Sequence, residues 1–282
     1  MTIKTLYTNG CSWTFGAELE QDRVFTDYLG DLGMFLQDPS DDLNWNIVDK
    51  DGNTVSRLDY HYDNFNWAGQ LKKKLGAKTL INHALGGVSN TCILRTTLEY
   101  VMSLTLEERE TTLVVIGWTT SERDEIYVKK TWERWNLAQK FSATVDRLKI
   151  SDQDFINAMD KFQDDYMGLV YDDYANVLKY FNNTYMLSNT LKNLGIKHLF
   201  FNALPAWWEA GELKSDCDPI TELPVQLEKH ETNNNIMSFR DSMMGFVHRT
   251  NCTVGKYLHP LAEAHQLWST HLLQQLRQRK II

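Results

Sequence analysis

Short apolar runs recur along the chain, and each ends in a small or polar residue before a helical pattern begins. The runs are brief and rich in β-branched and aromatic residues without strict alternation, which is typical of buried parallel strands. Four strands are predicted, at residues 3–8, 79–83, 113–117 and 196–202. Because helical patterns separate these strands, the sequence predicts an α/β protein with a mostly parallel sheet.

Apolar residues at helical spacing predict the connecting helices. The patterns cover residues 67–76, 90–104, 152–194 and 261–278. The third pattern is broken near Gly168 and ends at Gly195, a residue type that readily adopts the left-handed conformation found at helix ends. The last helix carries leucine and tryptophan on one side, so it is expected to pack on the sheet.

Three stretches interrupt this core as insertions, at about residues 37–66, 122–170 and 205–240. The first contains the turn signal Asp51-Gly52 and is rich in Asp and Asn, which predicts a surface loop with a hairpin. The third carries prolines and a polar run, which is typical of a lid or binding loop and equally of a disordered segment. With 282 residues, the whole chain, 1–282, is expected to form one domain.

The charge and cysteine content argue against several classes of protein. A formal net charge of -8 and a pI near 5.5 disfavour a nucleic-acid partner, because nucleic-acid-binding proteins concentrate Lys and Arg into a patch. No stretch is apolar enough for a signal peptide or a membrane span, so we expect a cytoplasmic protein with no membrane partner. The four cysteines lie far apart, which indicates free thiols rather than a metal site or a disulfide framework.

Aromatic residues are abundant, with nine Trp, twelve Tyr and twelve Phe, and they include the runs WERW (132–135) and AWW (206–208). Such side chains can stack on sugars or contact a protein partner. They can equally fill a core beneath long insertions. The sequence leaves both interpretations open.

Residues with reactive side chains follow three of the predicted strands and precede the last helix. Because parallel strands all end at one edge of a sheet, these turns are expected to meet in a single crevice. The four stretches are Gly10-Cys11-Ser12, INHALGGVSN (81–90), IGWTTSER (116–123) and LHPLAEAHQLW (258–268). An imidazole can take the proton of a serine hydroxyl, which makes Ser12 and His259 the candidate pair. Taken alone, a serine such as Ser12 is more often a helix N-cap than a nucleophile, and a histidine such as His259 is more often a hydrogen-bonded structural residue.

These four stretches resemble the motif blocks of the SGNH hydrolases, also called the GDSL esterase and lipase family. Gly10-Cys11-Ser12 stands where that family has Gly-Asp-Ser, so the resemblance makes Ser12 the nucleophile. Asn82 and Gly87 fall in the block whose glycine N–H donates to the oxyanion, beside the N–H of Ser12 itself. The most specific match is the His-Pro pair at His259, followed by His265 on the same helix. The resemblance implies a flavodoxin-like, three-layer α/β/α sandwich and a serine esterase without a cofactor or a metal.

Two residues depart from the family's pattern. Thr119 replaces an asparagine that donates to the oxyanion, and losing one such donor typically costs roughly a hundred- to a thousand-fold in turnover. Lys256 replaces the acid that orients the histidine, and losing that role in a serine triad costs on the order of ten-thousand-fold.

Other residues are candidates for the lost contacts. Asn90, Arg123 and the Thr119 hydroxyl are candidate oxyanion donors, and His265 is a candidate for further support of the site. The histidine can be oriented by a backbone carbonyl or by an acid from another part of the chain. The candidate acids are Asp216, Asp218 and Glu263.

The resulting interpretation is an SGNH-type serine hydrolase, an esterase or deacetylase acting through Ser12 and His259 on a small ester or an O-acetylated sugar. The alternative is a catalytically impaired module of the same fold that binds a glycan or a protein partner through its aromatic insertions. The stretches GCSWTFG and WTTSER also resemble SGNH-like proteins of tailed phages, including those of marine cyanobacteria, which implies the host cytosol or association with a virion. A flavodoxin-like nucleotide binder is disfavoured because the first turn lacks the glycines that cradle phosphate.

Overall fold

The computed structural model of the protein describes most of the chain. The described residues are 2–32, 34–36, 46–57, 62–128, 131–136, 152–204, 235–238 and 241–282. The strands, in chain order, are β1 (Thr5–Gly10), β2 (Met34–Leu36), β3 (Asn46–Asp49), β4 (Thr54–Arg57), β5 (Thr79–Asn82), β6 (Thr112–Trp118), β7 (Arg123–Val128), β8 (Thr131–Asn136) and β9 (Lys197–Asn202). The α-helices are α1 (Ser12–Phe15), α2 (Arg23–Asp31), α3 (Trp67–Leu75), α4 (Asn90–Ser103), α5 (Leu106–Thr111), α6 (Gln153–Leu169), α7 (Asp173–Asn193), α8 (Met243–Arg249) and α9 (Ala262–Gln278).

Four parallel strands form the central sheet, in the order β5-β1-β6-β9. These are the four strands that the apolar runs predicted, and the first begins and ends slightly later than expected. β1 and β6 are almost entirely buried, which explains why their sequences read as continuous apolar runs. Because β1 lies between β5 and β6, the ends of three strands surround the residues that follow β1.

Helices cover both faces of the central sheet. On one face, the ring of Phe201 contacts Trp67 of α3 and Trp268 of α9, with centroid distances of 5.3 and 5.1 Å. On the other face, Asn9 donates to the Thr97 hydroxyl of α4 at 3.0 Å, and α7 packs against α4. The fold is therefore the three-layer α/β/α sandwich that the sequence implied, with its core between the sheet and the two helical layers.

Two small antiparallel sheets lie outside the central one. β2, β3 and β4 form a three-stranded sheet whose hairpin turns at Asp51-Gly52, so the hairpin predicted there is confirmed. Among the strands that the structure describes, β7 and β8 pair only with each other, and the WERW run forms part of β8. Other parts of the predicted insertions, including the AWW run and the TNN portion of the polar run, lie outside the described residues.

The predicted helices are confirmed, but one break between two of them lies later in the chain than predicted. Residues 152–194 form two helices as predicted, but α6 continues through Gly168 to Leu169, so the break lies beyond the glycine. Asp172 explains the position of the break, because its side chain accepts the Ala175 N–H at 2.7 Å and thereby caps α7. The last helix packs on the sheet through Trp268, as its apolar face predicted.

Candidate active site

Ser12 lies directly beyond the end of β1, as the first residue of the single-turn helix α1. The N-cap of that helix is Cys11, so the interpretation of Ser12 as an N-cap is wrong. Gly10 is required at the strand end because a Cβ there would lie 2.2 Å from Thr14 Oγ1 and 2.7 Å from the Gly117 carbonyl oxygen. This tight connection holds the half-buried Ser12 hydroxyl at the carboxyl edge of the sheet.

His259 lies beside Ser12, although the two residues are 247 positions apart in the sequence. Its Nε2 is 2.8 Å from Ser12 Oγ, which is hydrogen-bonding distance. The histidine is held by a tight turn in which Gly255 donates its N–H to the His259 carbonyl at 2.8 Å. Leu258, the residue before it, has a φ of 66°, a left-handed conformation that is uncommon for a residue with a large side chain. The local backbone therefore fixes the imidazole over the serine.

A carboxylate that the sequence analysis did not single out contacts the other side of the imidazole. Glu18 Oε2 is 3.0 Å from His259 Nδ1, and it also accepts the His259 backbone N–H at 3.0 Å. The Tyr257 N–H reaches both carboxylate oxygens at 2.8 and 2.9 Å, and Gln21 donates to Oε1 at 2.7 Å. The side chain of Glu18 is only 5% exposed, so these contacts replace its hydration.

The sequence analysis suggested three other acids for this contact, and the structure describes one of them. Asp216 and Asp218 lie outside the described residues, and Glu263 is exposed on the first turn of α9 with no contact to His259. Glu18 was missed because the stretch GAELEQD (16–22) contains several acids and no spacing rule selects one of them. The sequence feature that could have pointed to this stretch is Gly16, which ends α1 with a left-handed φ of 94°.

Of the two backbone amides predicted to receive an oxyanion, one belongs to Ser12 itself and the other follows Gly86, which lies beside the serine. In the described part of the chain, neither the Ser12 N–H nor the Gly87 N–H has an acceptor. Gly87 has a φ of 73°, which suits glycine, and a Cβ on the preceding Gly86 would lie 3.9 Å from Ser12 Cβ. The Asn82 side chain accepts the Ala84 N–H at 3.2 Å and so helps to shape this turn.

Thr119 follows β6 and is buried, with its N–H donated to Asn90 Oδ1 at 2.9 Å. Asn90 Nδ2 in turn donates to the carbonyl oxygens of Thr119 at 3.0 Å and Thr120 at 3.2 Å. The Asn90 amide therefore positions this turn, and both its oxygen and its nitrogen already have partners. Arg123 Nη1 donates to Thr119 Oγ1 at 3.0 Å, so the Thr119 hydroxyl keeps its own hydrogen for another acceptor.

His265 supports the fold and does not contact the serine. Its fully buried ring accepts the Trp67 N–H through Nδ1 at 3.1 Å, which joins the start of α3 to α9. Burial, together with the nearby His259, lowers the pKa of His265 to about 3, so this ring is neutral. The hypothesis that His265 supports the site stays a prediction.

The electrostatic environment keeps Glu18 ionised and His259 neutral. Burial alone raises the pKa of Glu18, but hydrogen bonds from Tyr257, His259 and Gln21 bring it below its usual value. Burial lowers the pKa of His259, the Glu18 contact raises it, and the charge of Arg123 lowers it again, so that it lies below its usual value. At neutral pH the imidazole can therefore accept a proton.

No three His, Cys, Asp or Glu side chains are grouped to hold a metal ion in the part of the chain that the structure covers. Over the same residues, every helix is too short or too polar to cross a membrane.

Several solved structures resemble the chain. A lipase, Lip_vut3, from a goat rumen metagenome has a TM-score of 0.44 and 11% identity, over 97% of this chain and 97% of the lipase. A member of the lipolytic protein G-D-S-L family from Veillonella parvula has a TM-score of 0.40 and 11% identity, over 96% of each chain. A carbohydrate esterase has a TM-score of 0.40 and 13% identity, over 99% of this chain and 69% of the esterase. A comparison with curated proteins gives no match.

A family model also matches the sequence, over residues 46–281. The match includes Gly87, Thr119 and His259, and it begins after Ser12 and Glu18. It covers most of the chain, and its description is "Family of unknown function (DUF6071)". The chain belongs to this family of unknown function, DUF6071.

Proposed function

We propose that the protein is a serine hydrolase of the SGNH kind that cleaves carboxylic esters, with Ser12 as the nucleophile and His259 as the general base. The observation that carries the proposal is the 2.8 Å distance between Ser12 Oγ and His259 Nε2. A serine that shares a hydrogen bond with a neutral imidazole has the arrangement needed for nucleophilic catalysis. The motif resemblance of four sequence stretches supports the same assignment.

The reaction would proceed in two halves. Ser12 Oγ attacks the ester carbonyl carbon while its proton passes to His259 Nε2, and the imidazolium then protonates the leaving alkoxide as the carbon–oxygen bond breaks. A water molecule attacks the resulting acyl-serine, and its proton passes to the same nitrogen. The acid leaves as Ser12 recovers its proton, which restores the starting state.

The negative charge that develops on the carbonyl oxygen needs preorganised donors. The N–H groups of Ser12 and Gly87 fit this role because they have no acceptor among the described residues. The hydroxyl of Thr119 supplies a third donor, since Arg123 occupies only an acceptor position on its oxygen.

The substrate class is a small ester or an O-acetyl group on a sugar. The sugar hypothesis comes from the tryptophan-rich stretches, of which AWW lies outside the described residues. p-Nitrophenyl acetate and acetylated xylan, assayed side by side, separate the two substrate types.

The test is hydrolysis by the wild type, Ser12→Ala and His259→Ala, with Ser103→Ala and His248→Ala as matched controls at exposed positions. We expect kcat to fall roughly a thousand-fold or more in the first two variants and to stay unchanged in the controls. Hydrolysis by Ser12→Ala at the wild-type rate would refute the nucleophile assignment.

The alternative function is a binding module that has kept the fold and lost the chemistry. It is favoured by Thr119, which stands where the SGNH pattern has an asparagine donor. A wild-type protein that binds acetylated xylan without releasing acetate would support this alternative over the esterase.

A further inference from the structure

We propose that Glu18 is the positioning acid of this site and acts on the histidine from the nucleophile's own segment. The position that the SGNH pattern gives to the acid is occupied by Lys256. The inference rests on the proposed function, in which His259 takes the proton of Ser12. Its basis is one continuous line of contacts, with Glu18 Oε2 3.0 Å from His259 Nδ1 and His259 Nε2 2.8 Å from Ser12 Oγ.

The contact determines which ring nitrogen carries the hydrogen. An ionised carboxylate only accepts hydrogen bonds, so Nδ1 of a neutral His259 must be the protonated nitrogen. Nε2 then keeps its lone pair for the proton of Ser12. When the ring becomes an imidazolium, the same carboxylate stabilises its positive charge at close range.

The surrounding backbone is built around this carboxylate. Glu18 itself has a left-handed φ of 70°, a conformation that costs free energy and that persists only where other contacts enforce it. Gln21 donates to Glu18 Oε1 and accepts the Lys256 N–H at 2.9 Å, which ties the two segments together. A Cβ on Gly255 would lie 2.7 Å from Glu18 Cδ. The turn at residues 255–259, called the histidine turn below, therefore comes as close to the carboxylate as glycine permits.

Lys256 contacts Gln21 and Tyr257. Its N–H holds Gln21, while its exposed side chain lies over the ring of Tyr257, with Nζ 5.1 Å from the ring centroid. A lysine at this position therefore leaves the contact between Glu18 and His259 intact. The absence of an acid at position 256 and the contact of Glu18 with the same imidazole therefore belong together.

Two charged side chains, Glu18 and Arg123, set the charge environment of the imidazole, and the third titratable neighbour is uncharged. Glu18 raises the pKa of His259, Arg123 lowers it, and the neutral His265 lies nearby in the last helix. Removal of the Glu18 charge alone must therefore lower the pKa of His259 further.

The experiment is NMR of the His259 ring in the wild type, Glu18→Gln and the exposed control Glu263→Gln. In the wild type we expect the neutral ring to carry its hydrogen on Nδ1. Glutamine keeps an oxygen for the Tyr257 N–H but has no charge, so the pKa of His259 should fall in Glu18→Gln and stay unchanged in Glu263→Gln. In ester hydrolysis, Glu18→Gln should lower kcat by about a hundred- to ten-thousand-fold with little change in KM.

A wild-type ring that carries its hydrogen on Nε2 would overturn the proposal, as would a Glu18→Gln protein that titrates and turns over like the wild type. The tautomer is read in the unaltered protein, so it decides the matter even where the variant does not fold. The NMR experiment does not depend on turnover, so it tests the role of Glu18 separately. The proposed function is refuted by a different observation, which is full activity of Ser12→Ala.

Discussion

Two charges of opposite sign act on the pKa of the His259 imidazole. The carboxylate of Glu18 raises its pKa and the guanidinium of Arg123 lowers it, on top of the lowering caused by burial. A general base must be deprotonated to act, so each charge sets part of the pH range in which hydrolysis can occur. The two residues are therefore expected to shift the acid limb of the pH profile in opposite directions.

Replacement of Arg123 by glutamine should move the acid limb of kcat/KM to higher pH. The guanidinium disfavours the imidazolium, so its loss raises the pKa of His259, and a higher pH is then needed to deprotonate the base. Arg249→Gln is the control, because that arginine pairs with Asp241. Ester hydrolysis measured from pH 4 to 8, a range chosen to bracket the usual histidine pKa of about 6.5, gives the profiles. An unchanged or lowered acid limb in Arg123→Gln would contradict this prediction.

The sequence singled out Ser12 and His259, which the structure brings within hydrogen-bonding distance, but it did not single out Glu18. Ser12 and His259 occupy motif positions, whereas the contact of Glu18 depends on a left-handed backbone and on the close approach of Gly255. Neither feature leaves a spacing pattern in the sequence. The contacts of Asn90 were not predicted for a related reason, because its side chain satisfies a nearby backbone turn and nothing in its residue type reveals this.

One short segment, residues 18–22, holds the histidine turn and the start of the last helix. Glu18 accepts the N–H groups of Tyr257 and His259, and Asp22 accepts the N–H of Ala262 at 2.8 Å. Asp22 also caps α2 by accepting the Val24 N–H at 2.8 Å. The position of His259 therefore depends on the segment that follows α1.

The helix α3 packs so closely on the preceding turn that one of its residues must be glycine. A Cβ on Gly69 would lie 1.4 Å from the Asp63 carbonyl oxygen, whereas a Cβ on Gly30 of α2 meets no atom within 4 Å. Gly69→Ala should lower the free energy of unfolding by about 1–3 kcal/mol through overpacking. Gly30→Ala should leave it unchanged or raise it by about 0.5–1 kcal/mol.

Urea unfolding of these two variants and the wild type measures both effects. Equal midpoints for Gly69→Ala and the wild type would show that α3 can move away from the turn, contrary to the packing described above. The Gly30→Ala variant controls for the helix propensity of alanine, which favours folding at both positions.

The elements of the central sheet were predictable because buried parallel strands leave uninterrupted apolar runs. The hairpin of β7 and β8 was not predicted, since its strands are rich in charged residues and form a separate two-stranded sheet. The break between α6 and α7 was placed at Gly168, but the N-cap Asp172 determines it. Glycine within a helix costs only about 1 kcal/mol, so packing easily overrides it.

The strand order brings the two ends of the chain together. β1, the first strand, is interior to the sheet, and the last helix packs against α3, which leads into the neighbouring strand β5. Ser12 after β1 and His259 before α9 thus meet at one edge of the sheet. The convergence of strand ends was predictable from the parallel pattern, but the 2.8 Å contact required the three-dimensional structure.

Labelling with a fluorophosphonate, followed by mass spectrometry of the peptides, tests most directly whether His259 activates Ser12. The reagent forms a covalent bond with a serine only where a base activates the hydroxyl. We predict a single adduct on Ser12 in the wild type, none in Ser12→Ala, and strongly slowed labelling in His259→Ala. A wild-type protein that stays unlabelled, or an adduct that persists in Ser12→Ala, would contradict the assignment of Ser12 and His259 as an active pair.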